Sequence, residues 1–418
     1  MIQKYLEDYA VFWEKSTPNF PFISQKFNLA EKNRREKMLD QYVESVKSIR
    51  KGKLNGKKFT EKEEQRFVTS TRTFLCDGLD FTENQLQTMF SEEIRKVTRQ
   101  FVRQAREFDP ALTFHAIFQA CRNVWIMNGL QIVLGLPLQI TSSIFAYSLL
   151  YPYTDNLIDN PAITSNDKLV FNKNFYRRLD GQAIEPNNPA EKIIFSLVAM
   201  IEAEFPRSDY PEVYQSLLAI HEAQTRSIQL IQPGSSLSET ETLEIGIAKG
   251  GASVLADGYL VAGKLSKDQE HFLFGYGAYL QLLDDIQDVE EDRADGLHTI
   301  FSMSDENLEF KLNKTYWFGD HVMQSLPFFG GLHTEVFQSL MRKSIDFFII
   351  EAIAQNPDFY SHEYVSAMEE HSPFRFSYLQ KQKEQLTPYH GFLLNAFQEI
   401  AFSEYMPVES EKVFERQL

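Results

Sequence analysis

Residues 279 to 302 read YLQLLDDIQDVEEDRADGLHTIFS and place Asp284, Asp285 and Asp288 within five positions. On a helix, Asp284 and Asp288 are four apart and share one face. Asp285 lies about 100° around from Asp284, close enough to serve the same site. Gln281, one turn earlier, points the same way. The residues ahead of the cluster, Phe272 to Phe274, Tyr276, Tyr279, Leu280, Leu282 and Leu283, are apolar. The carboxylates therefore emerge from an apolar helix and not from a solvated charged face. A second cluster stands upstream in YSLLYPYTDNLIDNP, residues 147 to 161, where Asp155 and Asp159 are again four apart. Pro161 is expected to end that helix, and Pro152 to kink it or mark a new start, because proline removes one bond of the ladder.

Like charges at this spacing destabilise a helix by about 0.2–0.5 kcal/mol per pair. One such pair reads as an exposed acidic patch. Two, each at the end of an apolar helix, point to a hard cation, and Mg²⁺ commonly binds through one or two carboxylates plus substrate phosphates. Asp155, Asp159, Asp284 and Asp288 are the expected metal ligands, gripping a diphosphate through bridging Mg²⁺. An EF-hand reading of DVEEDRADG fails, because its glycine and its ligand spacing are out of place.

The elements that must position these residues are helical. EEIRKVTRQFVRQAREF, residues 92 to 108, spaces Ile94, Val97, Phe101 and Ala105 by three or four, one apolar stripe. The segments EKIIFSLVAMIEAEF, PEVYQSLLAIHEAQTRSIQLI and DQEHFLFGYGAYLQLLDDIQDV show no alternation of period two. Prolines sit mostly between such segments. There is no glycine-rich phosphate loop and no internal repeat, so the expected fold class is all-α. From Asn123 to Thr154 there is no charged residue. Asn123, Asn128, Gln131, Gln139 and Pro137 interrupt that run, which reads as a pair of buried helices and not as a transmembrane segment. Residues 51 to 58, KGKLNGKK, read as a surface loop. Residues 1–110 read as an N-terminal helical region of unknown role, an accessory layer or a small domain. Residues 111–418 read as the catalytic domain.

With 418 residues and 43% hydrophobic content, the chain is long enough to bury a large core. A net charge of −16 argues against a nucleic-acid surface and repels an anionic substrate unless cations intervene. Two cysteines, Cys76 and Cys121, make neither a disulfide framework nor a zinc site, and no secretion signal is read at the start, so a reduced, cytoplasmic setting is expected.

Asp155-Asn-Leu-Ile-Asp159 and Gln281-Leu-Leu-Asp284-Asp285-Ile-Gln-Asp288 resemble the two aspartate-rich motifs of isoprenoid synthases, the superfamily of class I terpene synthases and trans-prenyltransferases. The second is similar to the QxxDDxxD of prenyltransferases. The first, with Asn156 in second place, is more similar to the DNLxD of large bacterial class I terpene synthases related to tetraprenyl-curcumene synthase. AKGGASVLADGYLVAG, residues 248 to 263, resembles the lysine-containing helix between the motifs. The likeness spans about residues 110 to 380.

The resemblance implies an isoprenoid-synthase helical bundle, an isoprenyl diphosphate substrate, three Mg²⁺ ions and a homodimer. It implies that Asp155, Asp159, Asp284, Asp285 and Asp288 are catalytic. Lys249, Arg226, Gln281, Arg375 and Tyr378 would contact diphosphate. For Lys249 the competing reading is a surface lysine, and for Arg226 an ion pair with an acidic residue. His298-Thr299 falls where prenyltransferases often have lysine and threonine. Gly250-Gly251, inside a helical pattern, reads either as a helix break or as close helix packing. Most of the 35 phenylalanines read as core. The implied reaction is Mg²⁺-assisted ionisation to a terpene hydrocarbon or alcohol. A trans-prenyltransferase is the alternative, and a non-catalytic metal-binding scaffold the alternative of another class. Arg177-Arg178 lies too far from Asp159 to be the arginine pair of a transferase.

Overall fold

The computed structural model describes residues 1–51, 60–89, 91–159, 163–231, 237–303, 308–325 and 334–386; within helices, the side chains of 49–51, 61, 64, 89, 114, 155–156, 158–159, 334 and 384–386 are outside that description. The described residues form α-helices with short 3₁₀ and π turns, and no strand occurs among them. The protein is all-α. The loop expected at 51–58 and the helix-ending role of Pro161 lie almost wholly outside the described residues.

Two compact units divide the chain, one from 1–22 with 105–349 and one from 23–104 with 350–418. The first opens with α1 (Gln3–Lys15). The second holds α2 (Leu29–Lys51), α3 (Glu61–Thr73), α4 (Glu83–Met89) and most of α5 (Glu92–Phe108). The first unit continues with α6 (Phe114–Val133), α7 (Ser142–Asp159), α8 (Ser165–Leu179), α9 (Pro189–Glu204) and α10 (Pro211–Ser227). It then holds α11 (Glu239–Ala262), α12 (Lys267–Gln287), α13 (Val289–Asp295), α14 (Leu308–Gln324) and most of α15 (Thr334–Gln355). Helices α16 (His362–Glu369) and α17 (Phe376–Leu386) belong to the second.

This division differs from a linear cut at residue 110, for a physical reason at each end of the chain. In α1, Tyr5, Tyr9 and Trp13 recur every fourth position and are buried as one stripe. The Tyr5 hydroxyl donates to Glu270 (2.6 Å) and the Trp13 indole to Thr315 (2.9 Å), which fastens α1 to the bundle. At the other end, Arg375 donates to Glu36 through its main-chain and side-chain nitrogens (both 2.9 Å), and Phe27 N–H donates to the Glu370 carbonyl (2.9 Å). The C-terminal helices thus close onto α2.

Helix α11 is the axis of the first unit. It packs on α12, α10, α6, α1 and α7. A helix apolar on all sides must be buried on all sides. Between Thr242 and Val261 only Glu244, Lys249 and Ser253 escape burial. Capping boxes start both central helices, Ser238 with Glu241 for α11 and Ser266 with Gln269 for α12. The charge-free stretch forms α6 and α7, separated at Gly135, whose φ of +67° suits glycine, and at Pro137. No helix among the described residues is long and apolar enough to cross a membrane. Helix α7 runs unbroken through Pro152, so the expected new start does not occur.

Candidate functional site

The acidic row is built where α12 ends. Asp288 caps that helix with φ −96° and ψ 13°, and α13 begins at the next residue. The change of helix does not interrupt the four-residue step. Asp288 N–H donates to the Asp284 carbonyl (3.0 Å), and Asp292 N–H donates to the Asp288 carbonyl (2.7 Å). Asp284, Asp288 and Asp292 therefore follow one another a turn apart. Asp284 is exposed, Asp288 half-buried and Asp292 buried.

Burying carboxylates beside one another disfavours their ionised forms. Burial first, then the charges of Asp288 and Asp284, pushes Asp292 up to about 7, with a partial offset from the Thr299 hydroxyl. Asp285 is likewise pushed up to about 7, chiefly by burial. Asp288 is raised by burial and by Asp284 and Glu291. The Oδ2 atom of Asp292 has no hydrogen-bond partner among the described residues.

Asp285 points away from this row. Gln281 Nε2 donates to its Oδ1 (2.8 Å), and the Lys249 charge offsets part of the burial penalty. Lys249 is half-buried and makes no hydrogen bond or ion pair with a described residue. It is thus not a lysine extended into solvent beside an acidic partner. The glycines of α11 explain how its backbone comes close to the helix that carries Asp285. A Cβ on Gly250 would run into the Gly277 carbonyl and the Gln281 side chain, and a Cβ on Gly277 would run into the Gly250 carbonyl. The two backbones touch there, and α11 is unbroken, so of the two expectations for Gly250 close packing is the one realised. That contact seats Lys249 against the face of α12 that carries Gln281 and Asp285.

Asp155 and Asp159 lie in the last turns of α7, which packs on α11; their side chains are among those not described. Arg226, on α10, pairs with Glu244 of α11 (3.7 Å) and lines a cleft against α8. Arg375 and Tyr378 belong to the second unit. There Glu36 holds Arg375, and the Tyr378 hydroxyl donates to Asp40 (2.8 Å). Thr299 touches Asp292, and His298 N–H donates to the Leu230 carbonyl (2.9 Å). Arg178 is held by Glu202 (2.7 Å). Sequence reasoning missed Asp292. Its signal was the same step of four, counted once more from Asp288.

Oxygen donors of negative charge, crowded and partly dry, suit a hard divalent cation such as Mg²⁺. Among the described residues no three His, Cys, Asp or Glu side chains form a group that holds a metal by themselves. Donors from the substrate, or from Asp155 and Asp159, would complete the shell.

No protein-family model matches the sequence, and no curated protein is significantly similar to it. Among solved structures the chain is similar to a geranyltransferase from Legionella pneumophila, with 13% identity and a TM-score of 0.43 over 65% of this chain and 99% of that one. A likeness at that level fixes neither substrate nor reaction.

Proposed function

We propose that this protein is a Mg²⁺-dependent class I isoprenoid synthase, and specifically a terpene synthase that ionises an isoprenyl diphosphate to a hydrocarbon or alcohol. The observation that carries this reading is the acidic row ending α12, with the buried Asp285 held by Gln281 next to Lys249. An acidic patch made for solubility has no reason to be half dry, nor to have a lysine seated on its inner side by a backbone-to-backbone contact.

Asp284 and Asp288, with Asp155 and Asp159, would hold Mg²⁺; Asp292 extends the same row. The bound ions supply Lewis-acid stabilisation of charge on the leaving diphosphate. Lys249 donates to a diphosphate oxygen and adds a positive charge to a chain of net charge −16. Asp285, through Gln281, orients the α12 side of the site. The apolar helices around α11 exclude water from the allylic cation left behind.

The test is incubation with isoprenyl diphosphates of increasing chain length and Mg²⁺, reading free diphosphate and organic product. Release of diphosphate with a hydrocarbon or alcohol is the expected result. No diphosphate release from any chain length, with or without isopentenyl diphosphate, would leave the metal-binding scaffold as the reading.

A further inference from the structure

Arg226 finds its neighbours outside the aspartate site. Together with Leu169, Asn172, Lys173 and Tyr176 of α8 and His221, Glu222 and Thr225 of α10, it lines a cleft of about 480 Å³. Among the described side chains, none of α7, α11 or α12 lines this cleft. Helix α8 packs on α9 and α10, and α10 in turn packs on α11. The cleft thus lies on the side of α10 that meets α8.

The wall of the cleft holds an unusual group. His221 is 7% exposed, and neither ring nitrogen has a hydrogen-bond partner among the described residues. Burial lowers its proton affinity, against a smaller opposite pull from the Asn172 main chain. Phe175 and Tyr176 hold the ring at centroid distances of 5.5 and 5.6 Å. A neutral imidazole has one donor and one acceptor, and among the described residues only the Asn172 main chain acts on this one, too loosely placed to count as a hydrogen bond. Buried polar groups without partners are rare and call for a ligand, an ion or water.

The rest of the lining indicates which. Lys173 and Arg226 are cationic, and only Glu222 among the lining residues is acidic, in a chain whose net charge is −16. Glu222 accepts from the Tyr176 hydroxyl (3.4 Å), and Arg226 is held by Glu244 only at 3.7 Å. Asn172, Thr225 and Gln229 are neutral hydrogen-bonding groups, and Leu169, 69% exposed, forms an apolar lip. Two cations flanking an unused imidazole match a compact polyanion, and the cleft is larger than a bare phosphate ion.

We propose that this α8–α10 cleft is a second binding site, separate from the aspartate site, for a small organic phosphate, with Lys173, Arg226 and His221 as its recognition residues. The site stands independently of the function proposed above, because it needs neither Mg²⁺ nor the aspartates.

Isothermal titration of the full chain in excess chelator tests it, with glycerol phosphate as the probe and succinate as a dianion of similar size. Saturable one-site binding of glycerol phosphate is expected. Lys173→Gln should weaken it at least tenfold, and His221→Phe should weaken it several-fold with the helical circular dichroism unchanged. Asp284→Ala should leave it untouched, and Lys173→Gln should leave Mg²⁺-dependent diphosphate release at the wild-type rate. Absence of binding at millimolar probe, binding unaffected by Lys173→Gln, or succinate bound as tightly as the phosphate would each overturn the assignment.

Discussion

Asp285 and Asp292 are the residues whose protonation most directly reports how crowded and dry the acidic row is. Both have a folded value of about 7 against an ordinary 3.8. The folded state therefore holds more protons than the unfolded state between those values. Stability is then lost as pH rises from about 4 to about 7, at up to about 1.4 kcal/mol per pH unit for each group. Thermal melts of the metal-free protein should show this fall, and Asp285→Asn should flatten it. A wild-type melt that rises over the same interval would remove the argument that these carboxylates are crowded and dry. Activity is the second readout. Asp284→Ala should abolish diphosphate release with the helical spectrum intact, and excess chelator should do the same to the wild type. Under the proposed function, Lys249→Ala removes a charge-assisted hydrogen bond to diphosphate of about 1.5–3 kcal/mol, so kcat/KM should fall roughly ten- to a hundred-fold. An unchanged kcat/KM would return Lys249 to the class of surface lysines. The spacing of Asp284 and Asp288 was legible in the sequence because a step of four has one meaning on a helix. The inward turn of Asp285 was not, since it depends on how closely α11 approaches.

That approach is a property of two elements and rests on two glycines. Gly250 and Gly277 allow the α11 and α12 backbones to meet, and neither position has room for a Cβ. Gly277→Ala gains helix propensity of about 1 kcal/mol, yet it drives a methyl into the Gly250 carbonyl. The net effect expected is a destabilisation of about 1–3 kcal/mol, with loss of diphosphate release as Lys249 shifts from Gln281 and Asp285. Gly129→Ala on α6 is the control. Its new methyl meets only Phe337 Cε2, at 3.6 Å, an ordinary contact. That variant should be neutral or slightly more stable. Equal melting behaviour of the two variants would show that the packing does not depend on Gly277. Helix identity was readable from sequence because the apolar periods and caps are local: α5 starts and ends where the stripe from Ile94 to Ala105 predicts. Close contact between helices is not local. A glycine pair inside a helical pattern is consistent with a break or with packing until the partner helix is known. Residues 165–179 show the opposite failure. Lys168 and Lys173 follow a proline-bearing stretch and read as loop, but Thr164 accepts from Asp167 N–H and starts α8. A polar surface helix of this kind has too weak an apolar stripe to be read from its period alone.

At the scale of the whole molecule, charge supports the proposed lyase over the transferase. A transferase must hold two polyanions side by side in a chain of net charge −16. Both must lie within bond-forming reach of one allylic carbon, which requires extra cations beside the first acidic cluster. From Asn160 to Asn166 the sequence has none. Of the cations that follow, Lys173 lines the cleft on the α8 side of α10. Arg178 is tied to Glu202, and Arg177 donates to Gln182 (2.8 Å). Arg226 faces the same cleft and not the acidic row of α12. Under the proposed function, one diphosphate needs only Mg²⁺ and Lys249. A supplied isoprenyl diphosphate should therefore be consumed alone, giving free diphosphate and a hydrocarbon or alcohol, and added isopentenyl diphosphate should not lengthen the chain. The readout is product mass with and without isopentenyl diphosphate at equal Mg²⁺. A protein that is inert until isopentenyl diphosphate is added, and that then makes a longer prenyl diphosphate, is a transferase, and the charge argument would have misplaced its second anion site.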